Sequence, residues 1–236
     1  MAVVLRSLRG RIHDDRDRLH LTLMLALTFS TGIADAVGYL GLDRVFTGNM
    51  TGNVVILGMA IAGGDDLPVV GPLLALGTFM AGAAVGGVVL RPVEAGWSAR
   101  TTSMFGVVGL LMVVLTVLLV TFDDDLPYAV QLTVTGLLAL AMGLQAATAR
   151  HLAVKDVTTV VVTSTITGLA ADWRLARGGG KHAGRRTAAI ALICAGAAVG
   201  ALLVQAHLAW GVALSALISL AVTALGHPRA DTRPRS

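Results

Sequence analysis

The stretch that decides the fold lies at residues 31–53 and reads TGIADAVGYLGLDRVFTGNMTGN. It begins inside an apolar run that contains one acid, Asp35, and ends in a string of threonine, asparagine and glycine. An acid within a membrane span is costly, roughly 2.5 to 3.5 kcal/mol on insertion scales, so it is a functional candidate by default. The polar string suits backbone that is buried in protein or lines a cavity. The stretch therefore predicts a membrane helix followed by a broken helical segment.

The composition extends this prediction to the whole chain. Of 236 residues, 55% are hydrophobic and 14% are charged, whereas about 25% are charged in an ordinary soluble domain. The mean hydropathy of +0.78 and the 28 glycines indicate closely packed membrane helices. The lone cysteine, Cys194, excludes an internal disulfide and a multi-cysteine metal site. We therefore expect an all-α polytopic membrane protein.

The position of the charges predicts the number of spans. The apolar runs are 21–42, 45–62, 69–90, 104–121, 128–149, 157–171, 187–206 and 208–226. Eight crossings would put Arg91 and Arg100 outside and the acidic connections 63–68 and 123–127 inside, against the positive-inside rule. If 45–62 and 157–171 dip into the membrane and return, six crossings remain and each basic block is cytoplasmic. We predict six transmembrane helices plus two re-entrant or broken segments, with both termini cytoplasmic.

This topology divides the chain into three parts. Residues 1–20 form a basic cytoplasmic segment, for which a basic helix on the inner membrane surface and a partly disordered tail are equally open alternatives. Residues 21–226 form a single transmembrane domain, and 227–236 form a disordered cytoplasmic tail. Because the basic residues are explained by orientation and by contact with anionic lipid, the net charge of +4 does not indicate a nucleic-acid partner.

Three matches in the same order indicate an internal repeat. Residues 81–86 and 195–200 are both AGAAVG, the string TGNMTG at 47–52 matches TSTITG at 163–168, and GIADA at 32–36 loosely matches GLQA at 143–146. The repeats would cover about 21–121 and 128–226. Since three spans is an odd number, the second repeat is predicted to be inverted relative to the first. Inverted repeats are typical of transporters whose sites lie at the repeat interface.

The candidate site residues come from the intramembrane acid and from the two polar strings. Asp35 is suited to binding a cation, relaying a proton or accepting hydrogen bonds, the last being a purely structural role. The two strings supply hydroxyls, amides and helix N-termini, which favour anions; their alternative role is to cap two buried helices. Gln145, at the loosely matching place in the second half, cannot hold a charge. The complete set is Asp35, Thr47, Asn49, Thr51, Asn53, Gln145, Thr163, Thr165 and Thr167.

No spacing in the sequence resembles a metal site, a phosphate-cradling loop or a known catalytic motif. We therefore expect no enzyme activity and no cofactor. The first hypothesis is a small secondary transporter or channel for a small polar or anionic solute, with Asp35 as a proton-linked group. The second is a non-transporting membrane scaffold or partner-binding protein. Glycine-rich helix faces are also compatible with a homo-oligomer.

The stretches at 31–40 and 45–53, together with AMGLQA at 141–146, resemble the YoaK-like family of bacterial membrane proteins. The resemblance covers about residues 21–226, and the TGNMTGN string is its most specific part. It implies a six-span protein of the bacterial inner membrane, in a family without an assigned biochemical activity. The family pattern has Gln-Asn-Ala where this chain has Gln145, Ala146 and Ala147.

Overall fold

The computed structural model describes residues 2–122, 126–152, 162–171 and 183–226, with the side chains of 2–15 and 17 outside the description. Within these ranges the chain forms eight helices and no strand. The helices are α1 (Ala2–Gly41), α2 (Met50–Ile61), α3 (Val70–Leu90), α4 (Ala99–Phe122), α5 (Tyr128–Leu152), α6 (Val162–Ala171), α7 (Ala183–Ala206) and α8 (Leu208–Gly226). The chain is therefore all-α, as its composition predicts.

Six of the helices are long and apolar enough to cross a membrane, and α2 and α6 are not among them. Within the described residues these two helices have 12 and 10 residues and are about 18 and 15 Å long, whereas a bilayer core is about 30 Å thick. The prediction of six spans plus two broken segments is confirmed. Helix α2 begins inside the first polar string, and α6 contains the second.

The first helix is longer than its apolar run. It begins at Ala2 and extends without a break through 40 residues, of which Arg18–Gly41 is the candidate span. The described backbone at 2–20 is thus helical and continuous with the first span. Its location at the membrane surface stays a prediction. The predicted tail at 227–236 lies outside the described residues.

The helices pack in equivalent pairs. Helices α1 to α4 form one half and α5 to α8 the other, in the same order. Helix α3 packs against α5 as its equivalent α7 packs against α1, and the equivalent helices α4 and α8 pack against each other. The smaller interfaces are also matched, with α1–α8 corresponding to α4–α5 and α2–α3 to α6–α7. Helices α1 and α5 are the central ones, since 67% of the span window of each is buried, against at most 39% for the other four. This pattern is expected from two structurally equivalent halves, whose inverted relation stays a prediction.

The matched AGAAVG segments lie at the tightest of these interfaces. A side chain on Gly82 of α3 would collide with the Leu140 carbonyl of α5, and one on Gly196 of α7 would collide with the Phe29 carbonyl of α1. One turn later, Gly86 and Gly200 pack against Ala147 and Ala36 respectively. These glycines permit close helix packing, as the abundance of glycine in the chain predicts.

The same contacts align the two central helices. Gly32 of α1 faces the Ile193 carbonyl of α7, and Gly143 of α5 faces the Phe79 carbonyl of α3. With Gly32 equivalent to Gly143, the residue equivalent to Asp35 is Ala146. The looser sequence match of Asp35 to Gln145 therefore needs correction by one position.

Candidate functional site

The intramembrane acid lies at the start of the first broken helix. Oδ1 of Asp35 accepts hydrogen bonds from the backbone amides of Gly48 at 2.7 Å and Asn49 at 3.2 Å. The Asn49 side chain caps α2 by accepting from the Gly52 amide at 3.3 Å. Helix N-terminal amides carry partial positive charge, which a carboxylate complements. The first broken helix thus has an anion from its own chain at its N-terminus.

A second asparagine holds the linker before α2 in place. Oδ1 of Asn53 accepts from the Phe46 amide at 2.9 Å, and Nδ2 donates to the Phe46 carbonyl at 2.7 Å. Asn53 is fully buried and does not line the cavity described below. Its amide hydrogen-bonds the backbone of Phe46 on both sides, which is the contact expected of a structural anchor.

The segment between α1 and α3 enters the bundle and returns on the same side. Near its two ends, Nη1 of Arg44 donates to the Asp66 carbonyl at 3.1 Å, and between them Gly48, just before α2, contacts Asp35. The turn that begins it uses left-handed backbone at Asp43 and Arg44, with φ of 63° and 57°. Sequence reasoning missed Arg44, a basic residue that lies beside the acidic connection 63–68.

A cavity of about 710 Å³ connects the two polar strings. It lies among α1, α2, α6 and α7 and combines residues from the start of both short helices. It is lined by Thr31, Asp35, Tyr39, Phe46, Asn49, Thr51, Gly52, Val55, Ile56, Val162, Thr163 and Ile193. Four predicted site residues, Asp35, Asn49, Thr51 and Thr163, therefore share one cavity.

Two other predicted residues are buried behind this cavity. Gln145 is fully buried, and its Nε2 donates to the Thr31 hydroxyl at 3.2 Å, which itself donates to the Leu27 carbonyl at 2.9 Å. Thr47 is also fully buried. Within the described part of the chain, Gln145 Oε1 and Thr47 Oγ1 have no hydrogen-bond partner.

The second polar string contributes less than the first. Thr163 lines the cavity, whereas Thr165 and Thr167 do not. Thr165 is buried at 8% exposure, and the exposed Thr167 donates its hydroxyl to the Thr163 carbonyl at 2.9 Å within α6. Among the described residues, the second string thus contributes one lining side chain, Thr163, whereas the first contributes Asn49 and Thr51.

An aromatic pair that sequence reasoning missed also lines the cavity. The rings of Tyr39 and Phe46 stack with centroids 4.9 Å apart and an interplanar angle of 29°. Along α1, Thr31, Asp35 and Tyr39 are spaced four residues apart and therefore lie on one helix face. That spacing was readable from the sequence; the position of Phe46 beside it depends on the fold of the linker.

The part of the cavity lining that the structure describes carries a negative charge. Among these lining residues Asp35 is the one carboxylic acid, and none is basic. Among the described residues there is also no group of three or more histidine, cysteine, aspartate or glutamate side chains that could hold a metal ion. Oxygen atoms of hydroxyls, amides and one carboxylate dominate the polar chemistry available here.

Comparisons with known proteins agree with the sequence motifs. The family described as "Protein of unknown function (DUF1275)" matches residues 23–225. The "UPF0700 transmembrane protein YoaK" of Bacillus subtilis (strain 168) is 30% identical over 152 residues, which cover 64% of this chain and 66% of that protein, just under two thirds. No solved structure matches. The predicted resemblance to the YoaK-like family is confirmed, and the chain is a multi-pass membrane protein that belongs to the DUF1275 family.

Proposed function

We propose that this protein is a small secondary transporter or channel for a small polar solute. The observation that carries the proposal is the cavity of about 710 Å³ lined by the starts of both broken helices and by Asp35. Substrate sites of many transporters lie where discontinuous helices meet near the bilayer midplane. Asp35, within the first span, and Thr51 and Thr163, from the two short helices, are the polar groups that a solute would contact.

The charge of the site favours a cationic or neutral solute over an anion. The amides of Gly48 and Asn49 that would attract an anion already donate to Asp35, and no basic side chain belongs to the described lining. An anionic solute would face the carboxylate without compensation, at a high cost in a low-dielectric environment. Proton linkage through Asp35 remains part of the proposal.

The packing supports an alternating-access mechanism. The two halves have equivalent interfaces, α1 with α7 and α3 with α5, and both are lined by glycine. In the proposed arrangement the halves are inverted three-span repeats, and rocking one against the other would expose the cavity to each side in turn. We place the protein in the bacterial inner membrane with both termini cytoplasmic, on the distribution of basic residues.

The second candidate function is a non-transporting scaffold, and one observation favours it. Asn49 and Asn53 use their side chains on the backbone of their own segment, as expected if the polar string only caps and anchors a buried helix. A scaffold requires no access of water to Thr51 or Thr163, which separates the two candidates.

Cysteine labelling tests the choice. In a chain with Cys194→Ala, we expect Thr51→Cys and Thr163→Cys to react with a charged, membrane-impermeant thiol reagent. Val88→Cys, on a 73% exposed apolar position of α3, should stay unreactive because it faces lipid. Asp65→Cys, in the exposed acidic connection, should react from outside intact cells.

If Thr51→Cys and Thr163→Cys fail to react from either side while Asp65→Cys reacts, the cavity is closed to water and the scaffold function is favoured. Reaction of Asp65→Cys only from the cytoplasmic side of inverted vesicles would overturn the proposed orientation.

A further inference from the structure

The cavity deepens along one face of α1. Tyr39, Asp35 and Thr31 all line it, and each lies one helical turn from the next. Tyr39 is 41% exposed, Asp35 is partly buried and Thr31 is 1% exposed. Thr31 therefore lies at the inner end of the cavity, where a bound solute is most completely removed from water.

The Thr31 hydroxyl is left with one hydrogen-bonding role toward a solute, that of an acceptor. Its proton is donated to the Leu27 carbonyl at 2.9 Å, and its oxygen accepts from Nε2 of Gln145 at 3.2 Å. A hydroxyl has one proton and two lone pairs, so one lone pair remains. Because the proton is committed to Leu27, the Gln145 atom that faces the hydroxyl is the amide nitrogen.

Gln145 has an unfavourable position in the interior. It is fully buried, and its Oε1 has no hydrogen-bond partner among the described residues. An unpaired buried oxygen is destabilising and rare in native structures. Methionine has a similar size and would avoid this cost, but it has no donor for Thr31. The donor is therefore the property of Gln145 that a function would require.

Described contacts bring Thr31, Asp35 and Asn49 together in the cavity wall. A Cβ atom at Gly48 would lie 3.1 Å from Cγ2 of Thr31 and 3.4 Å from Oδ1 of Asp35. The Asn49 amide donates to the same Oδ1 at 3.2 Å. All three residues line the cavity, so one solute can contact them together.

The wall combines acceptors on α1 with a donor at the start of α2. The Asp35 carboxylate has about four lone-pair positions, and the amides of Gly48 and Asn49 both use Oδ1, so acceptor capacity remains. Oδ1 of Asn49 accepts from the Gly52 amide at 3.3 Å, which leaves Nδ2 as the donor. This Nδ2 lies 3.2 Å from a Cβ position at Gly52, another lining residue.

We propose that the solute is a small neutral molecule with a primary carboxamide group, and that Gln145 is a positioning residue that presents Thr31 to it as an acceptor. This inference rests on the proposed function. Side chains one turn apart on a helix have Cβ atoms about 5–6 Å apart, and an N–H···O bond is about 2.9 Å long. One nitrogen with two N–H groups therefore reaches both Thr31 and Asp35, while the carbonyl oxygen accepts from Asn49.

Other solute classes leave part of this wall unpaired. An ammonium ion has no acceptor for Nδ2 of Asn49, and a carboxylate has no donor for α1. A single hydroxyl has one donor for the two acceptors, Thr31 and Asp35. A buried polar group without a partner weakens binding, so the wall discriminates against each of these classes.

Binding to the full-length protein in lipid nanodiscs tests the solute class, because binding requires no transport. The probe is propionamide, and saturation-transfer NMR suits the weak affinity of so small a molecule. N,N-dimethylpropionamide lacks N–H donors, propionate is an anion and propylammonium is a cation. We expect propionamide to bind roughly tenfold more tightly than each of the three. This series uses the unaltered protein and needs no variant to fold.

Thr31→Val and Gln145→Met should each weaken propionamide binding roughly tenfold, whereas Thr31→Ser keeps the hydroxyl and should bind normally. Because Gln145 acts through Thr31, the double variant should bind no more weakly than Thr31→Val alone, whereas independent effects would multiply. Thr28→Val is the matched control. Thr28 is also buried on α1, but its hydroxyl donates to the Met24 carbonyl at 3.0 Å and it does not line the cavity.

Equal binding of propionamide and N,N-dimethylpropionamide, or tighter binding of propylammonium, would overturn the solute class. Multiplied losses in the double variant, or an equal loss in Thr28→Val, would overturn the role of Gln145. Propionamide binding without entry of propionamide into proteoliposomes would retain the site and contradict the transport function. Entry of another solute without propionamide binding would contradict this inference alone.

Discussion

The two broken helices of this protein differ in chemistry although they belong to equivalent halves. In the first, Asp35 and Asn49 meet the amides at the start of α2. At the equivalent places in the second half stand Ala146 and Thr165. The glycine contacts that hold α1 and α5 are nevertheless the same in both halves. The two halves thus share their glycine packing, whereas the carboxylate at the start of the short helix belongs to the first half.

The anchoring of the short helices differs as well. Asn53 makes two hydrogen bonds to the backbone of Phe46, while the matching positions in the second half are Leu169 and Val162. Leucine at 169 has no side-chain amide, so this pair of hydrogen bonds has no counterpart between Leu169 and Val162. Helix α6 instead has the Arg186 guanidinium of α7 close to Gly168. The first broken helix, in contrast, is anchored by hydrogen bonds within its own segment. A substitution at Asn53 tests this difference.

The largest expected effect is that of Asp35→Asn, which removes the charge that distinguishes the halves. Asparagine keeps an oxygen that accepts from Gly48 and Asn49, so we expect normal expression and folding but a complete loss of solute flux. Flux in proteoliposomes measures this loss, and thermal unfolding checks that the variant is folded. A variant that fails to fold would show that the carboxylate is structural.

The second prediction concerns the feature that the halves share. Gly82→Ala and Gly196→Ala each place a methyl group against a backbone carbonyl, of Leu140 and Phe29 respectively. Such overpacking costs about 1–3 kcal/mol, and the two variants should be destabilised by similar amounts in thermal or denaturant unfolding. Gly77→Ala is the control, because no atom lies near its added methyl group. A large difference between the two variants would contradict the equivalence of the halves.

The third prediction concerns Asn53→Leu, which gives the first half the residue of the second. It leaves the amide and carbonyl of the partly buried Phe46 without their partners, at a cost of about 2 kcal/mol. The unfolding midpoint measures this loss. Thr167→Val, which removes an exposed hydroxyl of α6, should change stability by less than about 0.5 kcal/mol. Equal effects of the two substitutions would show that the Asn53 contacts are not a specific anchor.

Much of this architecture was accessible from the sequence. Long apolar runs, charged boundaries and two polar strings are sufficient for six spans and two broken helices, since each is a local property of chain length and solvation. The role of the AGAAVG segments in close packing was likewise predicted. The roles of Asn53 and Gln145 were not, because a side chain's hydrogen-bond partner 7 or 114 residues away is a consequence of folding.

The sequence by itself determined that this is a helical membrane protein with one acid, Asp35, within its spans, because hydrophobicity and charge act residue by residue. Only the tertiary structure decided what that acid meets. It brought Gly48 and Asn49 to the carboxylate, placed Thr51 and Thr163 in one cavity, and left oxygen atoms of Thr47 and Gln145 without partners among the described residues. These are contacts between distant segments, and they depend on helix packing at glycine that no local pattern specifies.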